Sequence, residues 1–207
     1  MNDTCFDEQL KAIHGTVGQW FDAFMNTPEF AGLSESEQRK AGPIVNYFTE
    51  YCYRYVGATP AQWDRDAVYE CCTEALPRKV SAELSFFQAV APVLSAFFRF
   101  LADRSFHPRG EELAEAVDAA AEDIVSSAKN PRNWGPAKQF VMSAVAAGVD
   151  VSNSASMTAF AIQHNLEQAA RADVAGASHK RQFAAEPYEP CPCGSGKKFK
   201  FCCRQGG

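Results

Sequence analysis

The feature that most constrains this chain is a group of four cysteines within its last 17 residues. They lie in the order Cys191-Pro-Cys193, eight further residues, and then Cys202-Cys203. Structural zinc sites use four Cys or His ligands in a tetrahedron, and two close pairs joined by a short loop can supply such a set. A segment this short cannot bury enough apolar surface to fold unaided, so we expect bound metal to supply its folding energy.

The residues between the two cysteine pairs support this interpretation. Gly194 and Gly196 allow the backbone to wrap closely around an ion, and the Ser195 hydroxyl can donate a hydrogen bond to a thiolate. Basic side chains around the site should lower the thiol pKa values, and two phenylalanines alternate with them as an apolar anchor. These basic and aromatic residues are Lys197, Lys198, Phe199, Lys200, Phe201 and Arg204.

Two other roles for the four thiols are open. Disulfides would require an oxidising compartment, which nothing in the sequence indicates, and adjacent cysteines such as Cys202 and Cys203 seldom bridge each other. A catalytic zinc would need an open coordination position, which four protein thiolates would fill. The pattern therefore favours a structural Zn²⁺ site over both.

The segment from Pro190 to Cys203 resembles the SEC-C motif, the zinc module at the C-terminus of the protein-export motor SecA. The resemblance implies that the Zn²⁺ ligands are Cys191, Cys193, Cys202 and Cys203. Many members have His in place of Cys203 and Tyr in place of Phe199. In SecA-like proteins the module contacts the chaperone SecB, ribosomes or acidic phospholipid, so the resemblance implies a docking role on a protein or ribosome partner.

The rest of the chain is predicted to be helical. Across residues 1–175 apolar residues recur every three or four positions, with no sustained alternation of the kind that strands show. Residues 176–189 lack this periodicity and are predicted to form a flexible linker. We therefore predict an all-α protein, with a multi-helix domain over 1–175 followed by the linker and a small zinc knuckle over 190–207.

Start and stop signals place seven helices. Ser34 and Glu37 can form a capping box, Thr59 precedes a proline at a helix start, and Pro92 is expected to kink or split its helix. The helix that contains Pro92 is apolar on most sides, so we expect it to be the central buried element. The predicted helices cover about 4–26, 34–57, 59–77, 82–103, 110–128, 136–148 and 154–173.

Charge is divided unevenly between the body and the tail. Residues 1–175 contain 14 basic and 23 acidic residues, a net charge of −9, whereas residues 176–207 contain 6 basic and 2 acidic residues, a net charge of +4. The acidic body argues against extensive nucleic-acid binding. The basic tip is suited to a local electrostatic contact.

Other candidate metal or catalytic groups are less well patterned. Cys52, Cys71 and Cys72 could suggest a second metal site, but adjacent helical positions point in different directions, so the thiols of 71 and 72 would not converge easily on one ion. We expect buried thiols, because free cysteine packs as a small hydrophobic residue. The four histidines at 14, 107, 164 and 179 have no metal-binding or nucleophile context. The carboxylates at 111, 112, 115, 118, 122 and 123 are expected to form a solvated helix face rather than a di-metal cage.

Residues 141–165 have the outline of a helix-turn-helix, but the second helix contains no Lys or Arg up to residue 165. Because phosphate neutralisation supplies much of DNA affinity, DNA binding is not favoured. The acidic N-terminus does not resemble a signal peptide and no run of about 18 apolar residues predicts a transmembrane segment. We expect a cytoplasmic, non-enzymatic adaptor; the alternatives are an enzyme with its site in the helical domain, or a DNA-binding regulator.

Overall fold

The computed structural model describes the backbone of residues 3–182 and of Ser195, and the side chains of residues 6–167, Ala169 and Ser195. Within this part the protein is all-α and contains no strand, as predicted. In chain order the elements are α1 (Asp3–Phe24), α2 (Pro28–Ala31), α3 (Glu35–Tyr51), a π-helical turn (Cys52–Val56), a 3-10 turn (Pro60–Gln62), α4 (Arg65–Glu70), a second π-helical turn (Cys71–Ala75), α5 (Leu76–Lys79), α6 (Leu84–Asp103), α7 (Gly110–Ala119), α8 (Ala121–Lys129), a second 3-10 turn (Pro131–Asn133), α9 (Pro136–Ala146) and α10 (Ser154–Gln182).

Helix α6 is the central element, as its sequence predicts. It buries 12 of its 20 residues and contacts α1, α2, α3, α7 and α8. The predicted splitting at Pro92 is not observed, since α6 is one helix from Leu84 to Asp103. By length and composition alone α6 could cross a membrane, but 67% of its apolar stretch is buried inside the protein. Such burial is typical of a core helix.

The capping box predicted at the start of α3 is present. The Ser34 hydroxyl accepts a hydrogen bond from the Glu37 amide (3.3 Å), and the Glu37 carboxylate accepts one from the Ser34 amide (2.7 Å). The helical segment continues through the first π-helical turn and ends at Gly57, whose φ of +83° is available to glycine at little cost. Both ends of this predicted helix are therefore confirmed.

The predicted helix over 59–77 needs correction at both ends. Gln62 accepts hydrogen bonds from the Thr59 amide and hydroxyl, but this box closes only a 3-10 turn. Helix α4 has its own N-cap, Asp64, whose carboxylate accepts from the Ala67 amide at 2.9 Å. At the other end the chain stays helical past Pro77, because this proline lies in the first turn of α5, where no intrahelical donor is needed.

The predicted helix over 110–128 is two helices. Ala120 ends α7 and begins α8 with ψ near 0°, although neither proline nor glycine marks the break. Helix α8 contacts α6 and also the π-helical turn at Cys71–Ala75. The bend thus directs α8 against a segment some 50 residues earlier in the chain, which local sequence does not encode.

Within the described residues the chain forms two compact units, which separate after Ser143; the single helical domain over 1–175 stays a prediction. Helix α10 also extends to Gln182, so residues 176–182 of the predicted linker are helical. Loss of amphipathic periodicity did not end the helix, because this Ala-rich stretch still favours helical backbone. Apart from Ser195, the remainder of the linker and the predicted zinc knuckle lie outside the described residues.

Candidate metal centre

The predicted zinc ligands Cys191, Cys193, Cys202 and Cys203 lie outside the described residues. The same holds for the predicted partner contacts at Lys197, Lys198, Phe199, Lys200 and Arg204. Of this segment the structure describes Ser195, which is exposed and lies in a bend. The fit of the segment to a metal therefore rests on its donor set: four thiols in two close pairs, which is the ligand set of structural Zn²⁺ sites.

Cys52, Cys71 and Cys72 are buried, as predicted, and free. Burial raises the pKa of the Cys71 thiol well above its ordinary value, and the Cys71 thiol donates to the Phe48 carbonyl oxygen at 3.7 Å. The pKa of Cys72 is raised by the same cause. A thiol held in its neutral form is a poor metal ligand. Nowhere in the described part of the chain do three His, Cys, Asp or Glu side chains converge as a metal site.

His107 is a structural residue. It is buried, and its Nδ1 atom accepts a hydrogen bond from the Arg109 amide at 3.2 Å. Nε2 therefore carries the proton and donates it to the Pro60 carbonyl oxygen at 3.0 Å. Burial lowers the pKa of this imidazole. His107 thus joins the loop after α6 to the 3-10 turn at Pro60.

The other histidines have equally local surroundings. His14 lines a cavity of about 170 Å³ between α1 and α3. The ring of His164 lies 5.8 Å from that of Phe160, one turn earlier on α10. The side chain of His179 is outside the described set.

The predicted acidic face is largely solvated, but one carboxylate organises a contact between helices. Asp118 on α7 accepts hydrogen bonds from Ser95 (2.9 Å) and Arg99 (2.7 Å), both on α6. Arg99 also lies 3.8 Å from Glu111, and Arg65 lies 3.7 Å from Glu115. These carboxylates are exposed and paired with arginines, an arrangement that contributes modestly to stability.

The body contains a groove with a volume of about 550 Å³. Tyr69 donates to the Asp123 carboxylate at 3.0 Å across one end of it, and this hydrogen bond raises the pKa of the tyrosine. The lining contains no histidine, cysteine or lysine. It consists of Tyr69, Thr73, Glu74, Arg78, Asp123, Ser126, Ser127, Arg132, Asn133 and Trp134.

Sequence reasoning missed Lys138, which is the most unusual charged residue of the body. Its side chain is buried, its ammonium donates to the Pro77 carbonyl oxygen at 2.7 Å, and it lies 4.5 Å from the centroid of the Phe87 ring. Burial lowers its pKa to about 8. The Gly135 amide donates to the Arg78 carbonyl at 2.9 Å beside it. Two carbonyls at the end of α5 are thus satisfied from a later segment, and no local sequence signal marks this.

The predicted helix-turn-helix differs from the usual motif in its connection. Helix α9 ends at Ala146 and α10 begins at Ser154, so seven residues separate the two helices. DNA-binding helix-turn-helix motifs use a turn of about 3–4 residues. Gly148 lies in this connection with a φ of +74°, which is the ordinary geometry of a helix C-terminus.

Comparison with known proteins bears on the C-terminal segment. Neither the curated proteins nor the solved structures provide a significant match to this chain. Residues 189–205 match the family model of the SEC-C motif, in agreement with the resemblance identified from the sequence.

Proposed function

We propose that this protein is a cytosolic, non-enzymatic adaptor whose SEC-C tip binds Zn²⁺ and docks on a protein or ribosome partner. The observation that carries this proposal is the complete set of cysteine, serine and glycine positions within the SEC-C match at 189–205. In this proposal Zn²⁺ is held by Cys191, Cys193, Cys202 and Cys203. The ion supplies structural cross-linking: it fixes the fold of a segment too short to fold alone.

Charge supports a docking role for the tip. The basic residues at 197, 198, 200 and 204 lie among the ligands, whereas the body carries a net charge of −9. A basic tip attached to an acidic body favours a local contact with an acidic surface, such as ribosomal RNA or an acidic chaperone. Phe199 supplies an apolar anchor for such a contact. By resemblance, the partner is a SecB-like chaperone or the ribosome.

A second function has one observation in its favour. The 550 Å³ groove lined by Tyr69, Asp123 and Trp134 is large enough for a small ligand, as an enzyme with a zinc tip for recruitment would require. The groove lining contains carboxylates and hydroxyls but no histidine, cysteine or lysine, so the adaptor is better supported. DNA binding has less support still, given the acidic body and the long connection between α9 and α10.

The test is affinity isolation of the native protein from its own cells, with the tag placed away from the C-terminus. The unmodified chain is compared with the Cys202→Ser/Cys203→Ser variant, which lacks two ligands. A second variant, Lys197→Glu/Lys198→Glu, keeps all four thiols and reverses two charges. We expect the unmodified chain to bind zinc and recover a partner or ribosomes, and both variants to lose the partner.

The zinc content of each protein separates the contribution of the metal from that of the basic charges. The charge variant should retain zinc and the cysteine variant should not. Partners recovered equally by all three proteins would assign recognition to the helical body and contradict docking by the tip. Recovery of no partner, combined with ligand binding in the groove, would favour the enzyme.

A further inference from the structure

The groove of about 550 Å³ lies between two helical segments of the body. All the residues that line it belong to the compact unit that ends at Ser143. One wall is formed by the segment from α4 to α5, and the other by α8, the 3-10 turn at Pro131–Asn133 and Trp134. A cavity of this size is within the range of small-molecule sites.

The two walls run side by side in the same direction. At one end the Tyr69 hydroxyl donates to the Asp123 carboxylate at 3.0 Å, and at the other the Gly135 amide donates to the Arg78 carbonyl oxygen at 2.9 Å. The helical positions from Tyr69 to Arg78 span about 13 Å. The groove therefore has two separate ends, and these differ in charge.

Carboxylates lie at the first end. Asp123 accepts the hydrogen bond from Tyr69, and Glu74 is close enough to contribute to the raised pKa of that tyrosine. Glu74 is exposed and, within the described part of the chain, has no cationic side chain within 4 Å. An amino or hydroxyl group of a ligand would complement this end of the groove.

Guanidinium groups lie at the second end. Arg132 is three positions before Gly135, whose amide meets Arg78, so both arginines line the groove there. Both are exposed, and among the described residues neither has a carboxylate within 4 Å. Even Glu74, which lies four positions before Arg78 on the same wall, does not pair with it. Two positive charges in an acidic body are thus available to an anion.

The basic end is held in place by bonds that do not use the guanidinium groups. The Trp134 indole donates to the Ala128 carbonyl oxygen at 2.8 Å, and the Asn130 side chain accepts from the Arg132 amide at 3.1 Å. Nearby on α8, the hydroxyl groups of Ser126 and Ser127 line the groove and have no hydrogen-bond partner among the described residues. The end therefore presents several free donors on a fixed turn.

These donors favour a phosphate group. A phosphate monoester carries a charge of about −1.5 to −2 at neutral pH, which two guanidinium groups can neutralise. Its oxygens also match the paired N–H donors of arginine. The lining contains no histidine, cysteine or lysine, so we infer binding there and no reaction.

We propose that this groove binds a small phosphate monoester that carries an amino or hydroxyl group. Arg78 and Arg132 hold the phosphate, and Glu74 receives the other group. Glu74 and Arg78 are one helical turn apart, about 5.4 Å along the axis, which is comparable to the separation of the two charges in phosphoethanolamine. Binding of such a ligand goes beyond the adaptor function and does not depend on it.

The test is isothermal titration calorimetry of the full chain with zinc and reductant, in a buffer free of phosphate and sulfate. Phosphoethanolamine is the probe, and inorganic phosphate and ethanolamine each carry one of its two charged groups. We expect saturable binding of phosphoethanolamine, weaker binding of inorganic phosphate and no binding of ethanolamine. Absence of saturable binding by phosphoethanolamine would overturn the proposal.

Substitutions at the basic end test the phosphate contact. Arg78→Gln and Arg132→Gln should each weaken the binding of phosphoethanolamine by at least about tenfold, because each removes a charged donor. Arg104→Gln removes the same charge from an exposed arginine outside the groove and should leave the affinity unchanged. All three side chains are exposed, so thermal midpoints should change little. Equal affinities for the three variants would overturn the proposal.

A substitution at the acidic end tests the orientation of the ligand. Glu74→Gln should weaken the binding of phosphoethanolamine, whose ammonium loses a carboxylate, and should not weaken the binding of inorganic phosphate. Equal weakening of both probes, or of neither, would overturn the role of Glu74.

Discussion

The ammonium of Lys138 donates a hydrogen bond to the carbonyl oxygen of Pro77, at 2.7 Å and across 61 positions of the chain. The carbonyl belongs to the last turn of α5, where no intrahelical donor remains. A buried lysine thereby replaces the missing part of a helix cap. The rings of Phe87 and Trp134 lie 4.5 and 5.2 Å from the same ammonium, which compensates in part for its removal from water.

Replacement of this lysine should destabilise the body. Lys138→Met keeps an unbranched apolar side chain but leaves the buried Pro77 carbonyl without a donor, at an expected cost of about 1–3 kcal/mol. The measurement is the urea midpoint of helical circular dichroism. Lys129→Met, at an exposed lysine of α8, is the matched control and should change the midpoint little. Equal midpoints for the two variants would show that the buried hydrogen bond makes no net contribution to the stability of the body.

A glycine decides how closely α7 approaches α6. A methyl group added at Gly110 would lie 2.5 Å from the Phe98 carbonyl oxygen and 2.7 Å from the Ala102 amide nitrogen, both backbone atoms. We expect Gly110→Ala to destabilise the protein by about 3 kcal/mol, because the two helices must move apart.

Gly15→Ala provides the control for this substitution. Gly15 is also helical, and a methyl group there meets nothing within 4 Å. Its replacement should stabilise α1 by about 0.5–1 kcal/mol through the helix propensity of alanine. Opposite shifts of the thermal midpoint are therefore expected for the same chemical change, and shifts of the same sign would contradict the close approach at Gly110.

Because His107 is buried, the stability of the folded protein should decrease as the pH is lowered. Burial lowers the pKa of this imidazole from its ordinary value of 6.5, so the unfolded chain takes up a proton before the folded one does. Stability contributed by neutral His107 is therefore complete above 6.5 and is lost as the pH falls from there toward the folded-state pKa. Urea midpoints measured from pH 7.5 to 5 should decline less in His107→Gln than in the unmodified protein. Parallel declines would rule out this histidine as the cause.

Removal of metal should affect the tip and leave the body folded. The helical body has its own core around α6, whereas the SEC-C segment depends on the ion in the proposed function. Chelation should release about one zinc per chain, as expected for a four-thiol site, with little change in helical circular dichroism or in the thermal midpoint. Cys202→Ser should behave like the chelated protein. A large loss of helix on chelation would contradict the independence of the body.

Local rules predicted the elements whose signals lie within a few residues. The Ser34–Glu37 box, the end at Gly57 and the burial of α6 all follow from short windows of sequence, and each is confirmed. The same rules misplaced the start of α4, because two start signals lie close together. The box at Thr59 and Gln62 closes a 3-10 turn, whereas the cap at Asp64, five positions after Thr59, begins the helix. Local patterns also missed the break at Ala120, which serves the packing of α8 on a distant segment.

The sequence by itself determined the helical class of this protein and the SEC-C match of its C-terminal segment, because hydrophobic periodicity and cysteine spacing are properties of neighbouring residues. Only the tertiary structure decided that Lys138 is buried against Pro77, that Gly110 touches the backbone of α6, and that Arg78 and Arg132 line one groove. These facts depend on which segments meet in space. Side chains of the same type differ in burial and pKa according to those contacts, which join positions far apart in the chain.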